Sequence, residues 1–381
     1  MLHKWLPCSR IVRRRYCPSQ TRLKVRSCLQ QPANVRFQST SKIDYRSLHV
    51  FRDVPPLRAY RKNLRLRNKS VGLVPTMGAL HEGHLSLVRQ AAAENSEVFV
   101  SIYVNPTQFG INEDLDSYPK TWDSDMTMLK QLDAELASDP RSGRITAVFA
   151  PTTKVMYPTL PPDSSIPGVG SFVIISPIGQ VLEGASRPVF FRGVATVCMK
   201  LFNLVAPDRV YFGQKDVQQT IVIKRMVKDF HLDMEVKIGP TAREADGLAM
   251  SSRNVYLGDR RRKVGLVLSQ ALKAAETQFD KGKTSRTDIM WMANELAMRV
   301  RVEQEELAPN ERALFDVDYL SLADPETLEE MEYVDPKRGA ILSGAIKMMP
   351  LEETNTGENC GLGDGKIAVR LIDNIILGPA S

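Results

Sequence analysis

Cysteine is scarce and scattered, with five in 381 residues at positions 8, 17, 28, 198 and 360 and no CxxC pair. That excludes a disulfide framework and a zinc ribbon, and it fits a reducing setting. No apolar run approaches the roughly 18 residues that a membrane span needs, so insertion into a bilayer is not expected. Acidic residues are missing from the start of the chain: positions 1 to 42 hold ten Lys or Arg and no Asp or Glu, the first acid being Asp44. The whole chain carries +7, so once those ten charges are set aside residues 43 to 381 carry −3. A body with that balance has no global basic field for a polyanion, and nucleic acid is not an expected partner.

The acid-free segment is rich in Arg, contains Ser and lacks the apolar core of a secretory signal, which is the composition of a mitochondrial presequence. A disordered basic extension on a cytoplasmic protein is the alternative. Either way residues 1 to 42 are set apart from the fold. The full chain is 43% hydrophobic and 25% charged, a soluble globular composition, and its length suggests about two domains.

From residue 71 short β-branched runs alternate with helical periodicity. Strands are predicted at Val71 to Thr76, Glu97 to Val104, Thr146 to Ala150, Arg209 to Phe212 and Met234 to Ile238. Helices are predicted at His84 to Asn95, Asp123 to Leu132, Arg192 to Val205 and Asp216 to Phe230. Strand–helix–strand repeats of this kind make a doubly wound α/β domain with a parallel sheet, here 43 to 243. Beyond it, helices near 260 to 281 and 286 to 306 precede strands at Phe315 to Leu322, Ala340 to Lys347 and Ile367 to Leu377, which predicts a smaller α+β domain over 244 to 381. Residues 158 to 170 read as a surface insertion. Residues 351 to 366 read as a flexible hairpin loop, because Gly361, Gly363 and Gly365 before Lys366 lack the phosphate-loop spacing GxxxxGK[ST].

The densest chemical signal is Pro75 to His84 (PTMGALHEGH), which spans the end of the first predicted strand and the start of the first helix. In a parallel sheet that edge binds ligands, and helix N-termini there offer N–H groups to anions. Gly78 and Gly83 would let backbone approach phosphate, while His81 and His84, three apart, share a helix face. As a zinc pair the histidines fail, because HExH is not HExxH and no third ligand is evident; as phosphate ligands they need none. Asn105 and Gln108 follow the second strand and offer neutral amides for hydroxyls and a carboxylate. Lys215 and Arg253 follow later strands and offer cations for phosphate.

His81-Glu82-Gly83-His84 resembles the HIGH motif of the nucleotidyltransferase superfamily, and the longer string is similar to the pantothenate synthetases, or pantoate–beta-alanine ligases. Further blocks occur in that family's order: Val104 to Phe109, Leu182 to Gly184, Arg187-Pro188, Phe191 to Val194, Phe212 to Asp216 with Gln218-Gln219, Asp246 to Asn254, and Arg370 to Asn374. The resemblance covers 44 to 378. It implies a Rossmann-like ATP domain with a smaller C-terminal domain closing over the site, and a homodimer. It also implies a two-step ligase reaction. ATP and (R)-pantoate give pantoyl adenylate and pyrophosphate, and beta-alanine then displaces AMP to form pantothenate, a coenzyme A precursor.

By the same resemblance Met77, Gly78, Ala79, Leu80, His81, Glu82, Gly83 and His84 hold ATP, as do Gly213, Gln214, Lys215 and Asp216. Ala242, Met250, Ser251, Ser252 and Arg253 join them, with Mg2+ carried by the nucleotide and no dedicated metal ligands. Gln108 and Gln219 hold pantoate, Gln108 also touches beta-alanine, Asn105 belongs to the same substrate site, and His84 matches the residue assigned as proton donor. His81, Lys215 and Arg253 complete the implied catalytic set, Arg253 standing in a KMSKS-like loop. Two departures stand out: Gln214 where the family often has Glu, and Phe190 where many members have His. Two rivals stay open: an adenylyltransferase acting on another small acid or phosphate ester, and an inactive relative whose basic arm binds polyanions.

Overall fold

A computed structural model describes residues 48 to 378, except 112, 114, 166 and 167. The basic segment and its presequence reading lie outside the described residues. In chain order the first part runs β1 (His49–Phe51), α1 (Val54–Leu66), β2 (Val71–Thr76), α2 (Glu82–Glu94), β3 (Glu97–Ile102), α3 (Trp122–Leu136), β4 (Arg144–Phe149), α4 (Thr153–Met156), α5 (Glu183–Ser186), α6 (Phe190–Val205), β5 (Arg209–Gly213), α7 (Val217–Asp229) and β6 (Glu235–Gly239). The rest runs α8 (Gly258–Gly265), α9 (Val267–Asp280), α10 (Arg286–Glu305), β7 (Phe315–Ala323), β8 (Ala340–Met348) and β9 (Val369–Leu377).

The strands β1 to β6 form one sheet in the order β1-β4-β3-β2-β5-β6, with every pairing parallel. Both faces are covered, and the alternation along each strand shows it. Leu73, Phe99, Phe149, Val210 and Phe212 pack with α1, α6 and α7 on one side. Val74, Val98, Val100, Val148 and Tyr211 pack with α2 and α3 on the other. Residues of both parities are apolar because neither face meets water. This is the predicted Rossmann-like architecture. The second sheet, β7-β8-β9, is antiparallel and buries one face against α9 and α10.

Strand order reverses between β2 and β5, and the pairing there is short. β2 pairs with β3 over six residues but with β5 only at Gly72–Arg209 and Leu73–Val210. Val71 bonds with Asp208 on the β5 side, whereas the Thr76 carbonyl accepts from Tyr103 on the β3 side. By alternation Pro75 faces β5, and it has no N–H to give, so the ladder stops. The sheet thus opens a crevice at its carboxyl edge.

Several polar contacts fasten the C-terminal part to this edge. Arg370 grips the buried Glu183 carboxylate at 2.8 and 3.2 Å, and Arg243 grips Asp373 at 2.6 and 2.9 Å. Asn374 donates to the carbonyls of Gln214 and Lys215, each at 2.8 Å. Among the described residues no helix is long and apolar enough to cross a membrane.

Several elements differ from expectation. β1 and α1 lie before residue 71, where no element is predicted; Pro55 and Pro56 sit in the first turn of α1, where proline is tolerated. The helix expected near 260 to 281 is two, α8 and α9, parted at Leu266. The 351 to 366 segment does join the antiparallel β8 and β9, but it is tied down rather than loose. Arg260 binds the Glu358 carboxylate, the Asp259 N–H donates to Asn359, and the fully buried Arg261 donates to the Ile367 and Cys360 carbonyls.

Helix α6 reaches the turn after β3 only because residue 193 is glycine. A Cβ there would lie 2.3 Å from the Thr107 carbonyl oxygen and 2.7 Å from the Gln108 nitrogen, both rigid backbone. Gly193→Ala should therefore destabilise the fold by about 1–3 kcal/mol, the usual range for overpacking, measured as a lower urea midpoint at unchanged slope. An unchanged midpoint would show that the turn can move aside.

Candidate active site

A cavity of about 220 Å³ occupies the crevice between β2 and β5. Its walls bring together Met77, His81, Gly83, His84, Gln108, Gly213, Lys215, Asp216, Gln219, Ala242, Met250, Ser251, Ser252 and Arg253. Residues from five separate stretches of sequence converge because each stretch follows a strand that ends at this edge or leads into the C-terminal part.

The turn from β2 into α2 carries the histidines. Gly78 and Ala79 both have positive φ, +86° and +49°, so the chain reverses sharply before the helix. The expectation that backbone N–H groups here meet phosphate is not met at Gly78, Ala79 or Leu80. The Gly78 N–H donates to Thr76 Oγ1 at 3.2 Å, and those of Ala79 and Leu80 donate to the buried Asp125 carboxylate at 3.1 and 2.9 Å. Glu82 also turns away from the cavity and pairs with Arg89.

The histidines cap the helix reciprocally. His81 Nδ1 accepts from the Gly83 N–H at 3.2 Å, and His84 Nδ1 accepts from the His81 N–H at 3.4 Å. With both Nδ1 atoms accepting, the ring proton of each neutral imidazole is on Nε2. The ring centroids are 4.1 Å apart. Burial, reinforced by Lys215, pulls His81 down to about 4. Burial, then His81 and Lys215, pulls His84 down to about 3. Both are neutral at pH 7, so His84, expected as a proton donor, presents a hydrogen-bond donor and not an imidazolium.

After β5, Lys215 and Asp216 line the cavity, 3.6 Å apart. Gln214 does not line it. Its Nε2 donates to Asn374 Oδ1 at 3.2 Å. Because Asn374 Nδ2 is committed to two backbone carbonyls, its oxygen must face residue 214, and only a side chain with hydrogens to give suits it there. The second loop joins the first, since Ser252 Oγ donates to the Ala79 carbonyl at 3.2 Å and Ser251 Oγ caps the Arg253 N–H. The Arg253 guanidinium lies 5.8 Å from the Tyr118 ring centre.

At the other end, Gln108 Oε1 accepts from Asn105 Nδ2 at 2.9 Å, which leaves Nε2 as the end with hydrogens to give. Asn105 itself is fully buried and absent from the cavity wall. Its Nδ2 also donates to the Gly193 carbonyl, and its Oδ1 accepts from Thr107 and Tyr157. All four of its hydrogen-bonding positions are taken, so the expected substrate contact is corrected to a support for Gln108. Phe190 packs under the Arg187 guanidinium at 3.9 Å, while Arg187 holds Glu113. The wall also includes Phe190 and, from the helix predicted at Arg192 to Val205, Val194, Val197, Cys198 and Leu201, which the sequence did not place at the site. Their spacing along one face of α6 was the available signal.

The chain matches the family model described as pantoate-beta-alanine ligase over residues 49–376. It is 46% identical to the pantothenate synthetase of Roseiflexus castenholzii over 291 residues, 76% of this chain and 92% of the relative. To that of Thermotoga neapolitana it is 40% identical over 332 residues, 87% of this chain and 100% of the relative. Among solved structures, pantothenate synthetase from Thermus thermophilus superposes with a TM-score of 0.67 at 35% identity, covering 87% of this chain and 100% of that one. Pantoate-beta-alanine ligase from Francisella tularensis, complexed with beta-gamma ATP and beta-alanine, gives 0.61 at 27% identity, covering 87% and 98%.

The histidine pair has a pH consequence with a definite sign. Unfolded imidazoles protonate near 6.5, whereas these remain neutral to about 4 and about 3 in the fold. Between those values the unfolded chain binds more protons, so their contribution to stability is complete above about pH 6.5 and falls as pH drops toward 4. Nitrogen-15 spectra of the imidazoles should show Nε2–H forms that do not titrate between pH 8 and 5. Titration of either ring near 6.5 would contradict the buried, reciprocal cap.

Proposed function

The chain belongs to the pantoate–beta-alanine ligase family, and from that premise we propose how its residues divide the work. It is a ligase that condenses (R)-pantoate with beta-alanine at the expense of ATP, forming pantothenate through a pantoyl adenylate. The observation that carries the assignment of roles is the single cavity whose walls hold both HEGH histidines, Lys215 and Arg253 together with Gln108 and Gln219.

The pantoate carboxylate is ionised at pH 7 and needs no base. One of its oxygens attacks the α-phosphorus of ATP, and the bond to the departing pyrophosphate breaks with its electron pair going to pyrophosphate. Charge gathers on the phosphoryl oxygens during this step, so the useful groups are fixed donors and cations. His81 and His84 supply Nε2–H donors, and Lys215 and Arg253 supply charge. Neutral imidazoles suit the position, because imidazolium ions would repel Lys215. Gln108, oriented by Asn105, and Gln219 hold pantoate. The amine of beta-alanine, once it has lost its extra proton, then attacks the acyl carbon and AMP leaves.

Among the described residues no cluster of three or more His, Cys, Asp or Glu forms a metal cage. Asp216 is the acidic side chain on the cavity wall, which fits a Mg2+ held by the nucleotide's phosphates with one protein carboxylate nearby. Such an ion would neutralise charge on the leaving pyrophosphate. Family resemblance supports a homodimer, to be checked by sedimentation at twice the chain mass. The composition of residues 1 to 42 supports mitochondrial delivery, and a fluorescent fusion of that segment that stayed cytosolic would defeat it.

Labelled pyrophosphate should exchange into ATP with pantoate present and beta-alanine absent. Exchange that required beta-alanine would point to a concerted route, and exchange with other acids but not pantoate would favour a different adenylyltransferase. Lys215→Ala should slow exchange on the order of a hundredfold, by analogy with removing one oxyanion donor. Gln108→Ala should weaken both half-reactions without moving their pH profiles, since the amide does not titrate; a shifted profile would give Gln108 another role.

A further inference from the structure

We propose that Asp125 is a positioning residue for the phosphoryl step: its carboxylate holds the turn that aims the two imidazoles, without itself touching substrate. The inference rests on the functional reading above. Asp125 comes from the first turns of α3, more than forty residues from the histidines in sequence, and it is 1% exposed and absent from the cavity wall. Its oxygens accept from the Ala79 N–H at 3.1 Å, the Leu80 N–H at 2.9 Å and Thr121 Oγ1 at 3.0 Å.

Successive backbone N–H groups in such a turn form a nest for an anion. Here the anion is part of the protein. It fills the concavity at Ala79 and Leu80, so substrate phosphate meets the imidazoles, Lys215 and Arg253 instead. It also holds Ala79 at φ +49°, a conformation that a residue with a Cβ does not favour. A Cβ at Gly78 would come within 3.0 Å of Asp125 Oδ2, so turn and carboxylate are in close contact. The Ala79 carbonyl is bound in turn by Ser252, and one strained residue therefore joins Asp125 to the loop that carries Arg253.

Asp125→Asn keeps the size but presents hydrogens toward one of two N–H donors. In the full-length enzyme we expect the kcat of pantoate-dependent pyrophosphate exchange to fall at least about tenfold while KM for ATP and pantoate stay within about threefold, the signature of an interaction felt mainly in the transition state. The imidazole nitrogen-15 shifts of His81 and His84 should move with it. A kcat near wild type, a loss confined to KM, or a fall in kcat with unmoved imidazole signals would each overturn the proposal. If Asp125→Asn does not fold, Thr121→Ala removes one carboxylate bond from outside the turn and should give the same pattern at about two- to fivefold. Wild-type protein without pantoate-dependent exchange would sink the functional reading, and the imidazole spectra of the variant would still decide whether Asp125 holds the turn.

Discussion

The interrupted pairing of β2 with β5 is the constraint on which the rest depends. Two neighbouring parallel strands that bonded along their full length would leave no crevice between their ends. A proline on the side of β2 facing β5 ends the ladder after Leu73, and the order of connections sends the chain away from that point in both directions. The loops after β2, β3 and β5 then have one common space to fill. Its floor is apolar and its rim polar because the strands beneath are buried on both faces while their last residues are not.

The electrostatics follow from that enclosure. In a cavity partly shut from water a positive imidazole beside Lys215 is costly, and burial resolves the conflict by keeping both rings neutral. The charge needed for a triphosphate is left to Lys215 and Arg253. The C-terminal strand β9 takes part, because Asn374 binds the carbonyls of Gln214 and Lys215 and so fixes the backbone from which the lysine projects. Part of the site's rigidity is thus supplied by the smaller sheet, far along the chain.

Most of the sheet was legible because its strands are short β-branched runs, and β2 matches its predicted limits. The edge strand β1 and helix α1 were not, since a three-residue strand carries little pattern and paired prolines imitate a break. The site residues with charge or imidazole were legible from their place after strands. What could not be read was which polar groups were already spoken for. Asn105, Gln214 and the N–H groups of Ala79 and Leu80 look available in sequence, yet their partners are Gly193, Asn374 and Asp125, residues 88, 160 and about 45 positions away. Hydrogen-bond satisfaction is a property of the folded chain and leaves no local trace.

The reciprocal cap makes His81 and His84 one unit. Each ring's Nδ1 is occupied by an N–H that the other residue's placement helps to present, so the tautomer of one is conditional on the other. Replacing either alone removes a donor from the cavity, exposes a helix N–H and loosens the remaining ring's choice of tautomer. The energetic terms therefore cannot be apportioned to the two residues separately, and a double-mutant cycle across them would not sum. In evolutionary terms the pair is coupled, so the effect of a substitution at one position depends on which residue stands at the other.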